Sequence, residues 1–403
     1  MSQVAPGVHA ARMPWHDTDP VNERLKFVAA AQSGRCTMTE LCAEFGISRK
    51  TGYKILKRYR EEGPEALHDR SRAPHGHPNQ TSAKVEAAIL GVRKQHPTWG
   101  SKKILSVLER RRTEDELPEL PARSTVDAIL KRAGVVTSRK RRSRRQLCAP
   151  PIVDAVAPNA VWSMDYKGWF RVGDGTRCDP LTVNDVRSRM SLECRAMVSP
   201  KLEDVQARLE EAFWAFGLPD AMLSDNGPPF GARGLGGLSR LGVWLVSLGV
   251  RPVFIQPGHP EQNGRHERFH ETLKAETATP PRASIRAQQA AFKRFQVIYN
   301  EERPHEALGM RAPAEVYVRS ERSMPISVPE HEYPDAFKVR RIRTDGSMKW
   351  NGDHVFVGQA MVSELIGLEP AGDGQWRVHL GSMPLGVLHE RSKTILPTAV
   401  VDE

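Results

Sequence analysis

The segment "AVWSMDYKGWFRV" (160–172) constrains the fold more than any other stretch of this chain. Its residues alternate, with Trp162, Met164 and Tyr166 in one set and Ser163, Asp165 and Lys167 in the other. An extended strand sends successive side chains to opposite faces and so separates the two sets. Asp165 then sits in mid-strand among apolar and aromatic residues, where an unpaired carboxylate is costly to bury. A metal or a nearby cation must compensate it.

The following pattern is mixed α/β. "GDG" (173–175) makes a hairpin turn, and "CDPLTVNDV" and "MSLECRAMV" read as two further strands. "KLEDVQARLEEAFWAFG" has Leu202, Val205, Leu209 and Phe213 in helical phase. "DAMLSDNG" is a short strand breaking into a turn, "LSRLGVWLVSLG" a helix, "RPVFI" a strand and "QPGHPEQNG" an irregular loop. A helix starts near Gly264 and runs through Lys274, and a long helix begins at "SIRAQQAAF". Three antiparallel strands, a crossover helix and parallel strands separated by helices are the grammar of a ribonuclease-H-like sheet.

Ahead of this core the period is helical. Val21, Leu25, Phe27, Val28 and Ala31 mark a helix ended by Gly34. Thr39 is positioned to cap a short helix carrying Leu41, Cys42 and Phe45. After a turn at Gly46, Ser48 caps a second helix with Tyr53, Ile55, Leu56 and Tyr59 partly buried. Helix, glycine turn and basic helix is helix-turn-helix grammar. Arg49, Lys50, Thr51 and Lys54 fall where a recognition helix meets base edges and phosphates, and the alternative is a helical interaction module with a solvated charged face. A second unit follows, with Ser101 and Ser124 as candidate caps and Arg123 and Ser124 as candidate DNA contacts.

The charge is segregated. Residues 1–150 hold 29 Lys and Arg against 16 Asp and Glu, whereas the rest holds 30 against 32. Such a field selects a polyanionic partner. "SRKRRSRR" (138–145) places Arg139, Lys140, Arg141, Arg142, Arg144 and Arg145 in a linker suited to tracking phosphates. Five scattered cysteines without a C-x-x-C pair fit a reducing compartment. No apolar run spans a membrane and no secretory leader is apparent. After about residue 335, short strands with DG and NG turns predict a small all-β unit, either a structural cap or a further DNA contact through Lys338, Arg340, Arg341, Arg343, Lys349 and Arg377.

Two further acids stand out. Asp225 follows a strand in "SDNGPPF", where ligands bind at sheet edges, and Glu267 lies in the first turn of a helix after "PEQNG". Each alone has a plain structural reading, a turn and a dipole-favoured helix start. His266-Glu267-Arg268-Phe269-His270 also spells the zinc-peptidase pattern H-E-x-x-H. Arg265 and Arg268 place cations beside and inside it, which opposes Zn²⁺ binding.

Taken together, "WSMDYKGWF", "LSDNGPPF" and "PGHPEQNGRHERFHETLK" resemble the catalytic motifs of the integrase-core DDE transposases of bacterial insertion sequences, the superfamily that includes retroviral integrases. "MTELCAEFGISRKTGYKILKRYREEGPEALHDRS" resembles their helix-turn-helix, and "YNEERPHEALGMRAPAEVY" the segment closing their core. The resemblance implies that Asp165, Asp225 and Glu267 are catalytic and hold two Mg²⁺ ions, with Mn²⁺ able to substitute. Between Asp225 and Glu267 lie 41 residues, more than the superfamily commonly has; "GARGLGGLSRLG" (231–242) is a candidate for the surplus, and Glu261 fits the common spacing as a competitor. The implied chemistry is cleavage at an element's 3′ end by activated water, then attack of the freed 3′-OH on target DNA, without ATP or a covalent protein–DNA intermediate. Asn263, Arg265, Arg268 and Lys274 are expected against double-stranded DNA, with Lys167 and Asn226 near the acids, and His266 and His270 packing at the surface or adding to the phosphate-facing row.

The expected architecture is therefore multidomain: α-helical helix-turn-helix domains at 1–72 and 73–137, a basic linker at 138–154, an α/β ribonuclease-H-like catalytic core at 155–322, and a small all-β domain at 323–403. By the same resemblance the protein works as at least a homodimer on DNA, in the bacterial cytoplasm at the nucleoid. Two rivals share many of these features: a DNA-binding regulator with an inactive core, and a nuclease without strand transfer.

Overall fold

The structure, a computed structural model, describes residues 19–70, 80–136, 153–232, 234–256 and 259–397, the side chains of residues 260 and 261 excepted. The chain divides into two compact units, residues 1–80 and 81–403. Arg139, Lys140, Arg141, Arg142, Arg144 and Arg145 lie outside the described residues.

The first unit holds helices α1 (Pro20–Gln32), α2 (Met38–Glu44) and α3 (Arg49–Glu62) around Phe27, Val28, Leu41, Cys42, Leu56 and Leu67. The cap of α2 is Thr37 rather than Thr39. Its side chain receives the Glu40 N–H while the Glu40 carboxylate receives the Thr37 N–H, a reciprocal pair that Thr39 has no partner to form. Ser48 caps α3 as expected. Gly52 faces inward, and a Cβ there would lie 2.7 Å from Cys42 Sγ and 2.9 Å from Phe27 Cζ, so this glycine sets how closely α3 approaches its neighbours. Tyr53 is 60% exposed, not partly buried, because it follows Gly52 around the helix and turns outward.

In the second unit, α4 (Ala83–Gln95), α5 (Ser101–Arg111) and α6 (Arg123–Arg132) enclose Ile89, Trp99, Ile104, Val126 and Leu130. Ser101 and Ser124 do not cap. Both lie inside their helices, behind Gly100 and Ala122; Ser101 is buried, with Arg123 Nε 3.4 Å from its hydroxyl.

The core sheet is built from β1 (Val161–Tyr166), β2 (Phe170–Arg171), β3 (Arg177–Asp185), β4 (Ser191–Met197), β5 (Ala221–Ser224) and β6 (Arg251–Phe254), and two helices, α7 (Leu202–Phe216) and α8 (Arg240–Ser247), form the crossovers. The order is β2-β3-β1-β5-β6, with β4 also on β3; β1, β3 and β4 pair antiparallel, whereas β1-β5-β6 is parallel. Trp162 and Met164 pack with α7 and α8 on one face. The other face is covered by α9 (Gly264–Thr277) and α10 (Ile285–Val297), through Phe269, Leu273, Phe292 and Phe295 on Cys178 and Cys194. The result is a three-layer α/β/α core.

The C-terminal region has a five-stranded antiparallel sheet of β7 (Lys338–Arg341), β10 (Leu365–Gly372), β11 (Gln375–Leu380), β12 (Met383–His389) and β13 (Thr394–Pro397), plus the hairpin β8 (Ser347–Trp350) and β9 (Asp353–Phe356). Leu238, Val243 and Val246 of the core share its apolar cluster, so burial joins the two regions. The glycine-rich surplus before α8 takes part: Leu235 packs on this cluster, and a Cβ on Gly236 would approach Leu385 to 3.2 Å. Several of the basic residues here have partners within the region. Lys338 Nζ lies 4.3 Å from the Trp376 ring centre, Arg341 pairs with Glu330 and Arg377 with Glu369. Among the described residues no helix is long and apolar enough to cross a membrane.

Candidate active site and nucleic-acid interface

The alternation of β1 decides what surrounds Asp165. With Trp162 and Met164 committed to the α7–α8 side, Ser163 and Asp165 face α9. Asp165 pairs across the sheet with Thr182, whose hydroxyl donates to the Asp165 carbonyl at 3.1 Å. Asn263, at the start of α9, is buried and directs its amide to Asp165 Oδ2 at 3.4 Å. Its side chain therefore points at the acid instead of outward.

Asp225 follows β5 directly. Its Oδ1 accepts the Gly227 N–H at 3.0 Å, and Asn226 donates to the Ile255 carbonyl at 2.6 Å, which ties the turn to the end of β6. Gly231 permits this fold-back, since a Cβ there would lie 2.8 Å from the Asn226 carbonyl oxygen. Burial, the charge of Asp225 and, less strongly, that of Glu267 push the Asp165 carboxyl up to about 7, against the Tyr166 amide and Lys167. Acids from the turn after β5 and the first turn of α9 thus act electrostatically on the acid of β1. Among the described residues no three acid, His or Cys groups already stand as a cluster able to hold a metal. The donors are nonetheless hard carboxylate oxygens whose mutual repulsion a divalent cation relieves, which fits Mg²⁺ in chemistry and charge. Glu261 lies in the 3₁₀ turn Pro260–Asn263, with its side chain outside the description.

His266 and His270 take no place in a phosphate-facing row and do not pack at the surface. Both are buried on the inner face of α9, at i and i+4 with Phe269 and Leu273. His266 Nδ1 lies 2.7 Å from Ser163 Oγ and its Nε2 2.6 Å from Thr182 Oγ1; His270 Nε2 lies 2.8 Å from the same hydroxyl. Burial drives His266 down to about 3 and His270 down to about 2, so both are neutral at physiological pH. Both ring nitrogens of His266 already have protein partners. The histidines bind α9 to β1 and β3, and so hold Glu267 relative to Asp165.

Arg265, Arg268 and Lys274 are exposed on α9. Lys274 and Lys167 repel each other and flank a small cleft beside Trp169, which is 56% exposed and has Arg177 5.1 Å and Arg171 5.9 Å from its ring centre. In the first unit Arg49, Lys50, Thr51 and Lys54 are exposed on the first turns of α3, with the Thr51 hydroxyl 2.9 Å from that of Ser48. Arg123 and Ser124 are exposed on the first turn of α6, where Arg123 lies 3.8 Å from Asp127. Sequence reasoning missed a larger cleft, of about 730 Å³, lined by Arg187, Arg189, Arg265 and Arg311. The signal was present as "NDVRSRM", two arginines in a turn between strands.

Asp185 belongs to that turn and not to the acid set. It is fully buried and accepts from the Asn159 N–H and from both the N–H and hydroxyl of Ser188.

Two integrase core domain models match residues 155–260 and 248–313, a helix-turn-helix domain model matches 23–75, and a homeodomain-like domain model matches 51–130. The uncharacterized 31.7 kDa protein of insertion element IS407 from Burkholderia multivorans is 27% identical over 248 residues, 59% of this chain and 82% of that protein. The transposase InsD of insertion element IS2 from Escherichia coli is 25% identical over 240 residues, 55% of this chain and 74% of that one. The magnesium-bound catalytic core of HTLV-2 integrase matches 40% of this chain and 99% of its own at 13% identity and a TM-score of 0.33. The chain therefore carries an integrase core domain with helix-turn-helix modules ahead of it, and its relatives are proteins of bacterial insertion elements.

Proposed function

We propose that this protein is a transposase that cuts the 3′ ends of a mobile element and joins them to target DNA, with Asp165, Asp225 and Glu267 as its acids. The observation that carries the reading is the state of Asp165: a carboxyl in a central strand, pushed up to about 7 by burial and by two acids from other elements. So costly an arrangement is unexplained by folding alone and is expected of a site that takes divalent cations. The three carboxylates would hold Mg²⁺ or Mn²⁺, which supplies charge neutralisation at the scissile phosphate and a more acidic water. The chain's own part is to orient. Asn263 steadies Asp165, the His266–Thr182–His270 contacts fix the pitch of α9, and Arg268 and Lys274 draw the phosphate backbone toward the acids. In this reading Arg49, Lys50, Thr51 and Lys54 recognise the element end, Arg123 and Ser124 add contacts from the second module, and the basic linker tracks phosphates. The domain division is 1–72, 73–137, 138–154, 155–322 and 323–403, and the protein acts on the nucleoid as at least a dimer.

The test is a strand-transfer assay with the full chain, Mg²⁺, a target plasmid and a labelled duplex from the inverted repeats beside the gene. Joined product is expected with the wild type and none with Asp225→Asn. Joining that persists in the variant sinks the acid assignment. Cleavage without joining identifies a nuclease, and binding without either identifies a regulator. Glu267→Gln beside Glu261→Gln identifies the third acid, with loss expected only for the former.

A further inference from the structure

The cleft formed by Arg187, Arg189, Arg265 and Arg311 is used by none of the steps above. It lies between the β3–β4 turn, the start of α9, the segment 307–316 that follows α10, and residues 154–156 that lead into the core. Arginine stays protonated at any physiological pH, so four guanidiniums in one concavity cannot relieve their repulsion by losing a proton. Among the described residues none of the four forms an ion pair, and the one acid of the lining, Asp154, pairs with none of them. The nearest deeper acid, Asp185, has its oxygens committed to Asn159 and Ser188. Arg189 is half-buried: burial and the charges of Arg265 and Arg268 act against its cation, and together they outweigh the attraction of Tyr299 and Asp185.

The backbone supplies an independent observation. Arg189 has φ +66°, a left-handed conformation that a side-chain-bearing residue adopts at a cost and that glycine adopts freely. Folding stability alone would favour glycine here. The turn instead keeps a cation in a strained position, a pattern found at ligand sites.

We infer that this cleft is a binding site for the phosphodiester backbone of DNA, separate from the helix-turn-helix modules and from the acids. Guanidinium forks match phosphate oxygens bidentately, and the cleft presents no array of acceptors or aromatic faces that would read a base. It therefore binds without regard to sequence. The identity of the polyanion rests on the reading of the chain as a DNA-joining enzyme.

The test uses the full-length protein in chelator, where no joining occurs, and reads fluorescence anisotropy of an element-end duplex and an unrelated duplex across a KCl series. For Arg187→Ala/Arg189→Ala, affinity for both duplexes is expected to fall by the same factor, about tenfold or more at moderate salt, and the slope of log K against log salt by about 2. Arg189→Gly separates charge from folding: it removes the strain, so its melting temperature is expected to hold or rise while DNA binding weakens. Arg189→Lys keeps the charge without the fork, and an intermediate affinity is expected. Unchanged affinity and slope in the double variant overturn the inference. So does loss for the element end alone, or loss that tracks a lowered melting temperature while Arg189→Gly binds normally. Saturable binding of inorganic phosphate or ATP at the cleft without effect on DNA assigns it to a free phosphate instead. A change in oligomeric state of the DNA-free double variant assigns it to a second copy of the chain, and both results overturn the inference. Since binding is read without metal, a chain that never joins DNA can still pass. A chain that joins DNA normally with both arginines removed fails.

Discussion

The two helical modules share a sequence grammar and differ in what their cations do. On α3, Arg49, Lys50 and Lys54 are exposed, and among the described residues none forms an ion pair. On α5, Lys102 reaches Glu306 at 2.5 Å and Arg110 reaches Glu315 at 2.8 Å, both acids belonging to the core, and on α6 Arg132 pairs with Glu86. Thr98 adds a hydrogen bond to Glu276. The first module leaves the cations at the start of α3 unpaired, whereas the second commits Lys102 and Arg110 to a joint with the core. A cation count alone does not distinguish the two uses.

If charge without a partner marks a working surface, the rule is tested hardest at Asp165, its acidic counterpart. Its folded-state value lies near 7 against an ordinary value near 3.8, so between about pH 4 and 7 the folded state holds a proton that the unfolded state has lost. Stability of the metal-free protein is therefore expected to fall as pH rises through that window, by roughly 2–4 kcal/mol from this group. Asp165→Asn should remove that part of the slope and be the more stable protein at pH 7 in chelator. Denaturant unfolding at pH 5 and 7 measures both, and parallel curves for the two proteins would refute the assignment.

The next effect concerns α3. Arg49→Ala/Lys50→Ala/Lys54→Ala should weaken binding to the element end by about 100-fold, at about 1–3 kcal/mol for each base contact and less for each phosphate contact. Lys102→Ala/Arg110→Ala should change it less than threefold on the same scale, since those side chains are held by the core. Equal losses in anisotropy titrations would erase the contrast between the modules.

Gly52→Ala is expected to destabilise the first unit by about 1–3 kcal/mol, because the added methyl meets Cys42 and Phe27. Thermal melts of the full chain should show one early transition that moves and a later one that does not. The smallest effect belongs to the joint itself: Glu306→Gln/Glu315→Gln should cost about 1 kcal/mol or less and raise non-specific DNA affinity by a few-fold, as Lys102 and Arg110 are released. Affinity that falls instead would mean these cations serve no DNA even when free.

Much of the architecture was legible. The alternation at 160–172, the helical phase of 202–213 and the cap at Ser48 are local signals, and each element formed where its pattern lay, except that the strand expected over 160–172 breaks after Tyr166 and resumes at Phe170. The errors were local as well. Thr39, Ser101 and Ser124 suit a cap by residue type, but a cap also depends on where the preceding chain leaves its extended path. The spacing of His266 and His270 says only that they share a side of the helix, not which side the sheet will cover.

The sequence by itself determined the order of elements, the candidate acids and the segregation of charge, because these depend on residue type and on neighbours a few positions away. Only the tertiary structure decided which charges are available. Lys102 finds its acid 204 residues later, and Arg187 and Arg189 meet Arg265 and Arg311 only when a strand turn, a helix start and the segment after α10 converge. Electrostatic free energy depends on distance and burial in space, and neither is encoded in separation along the chain.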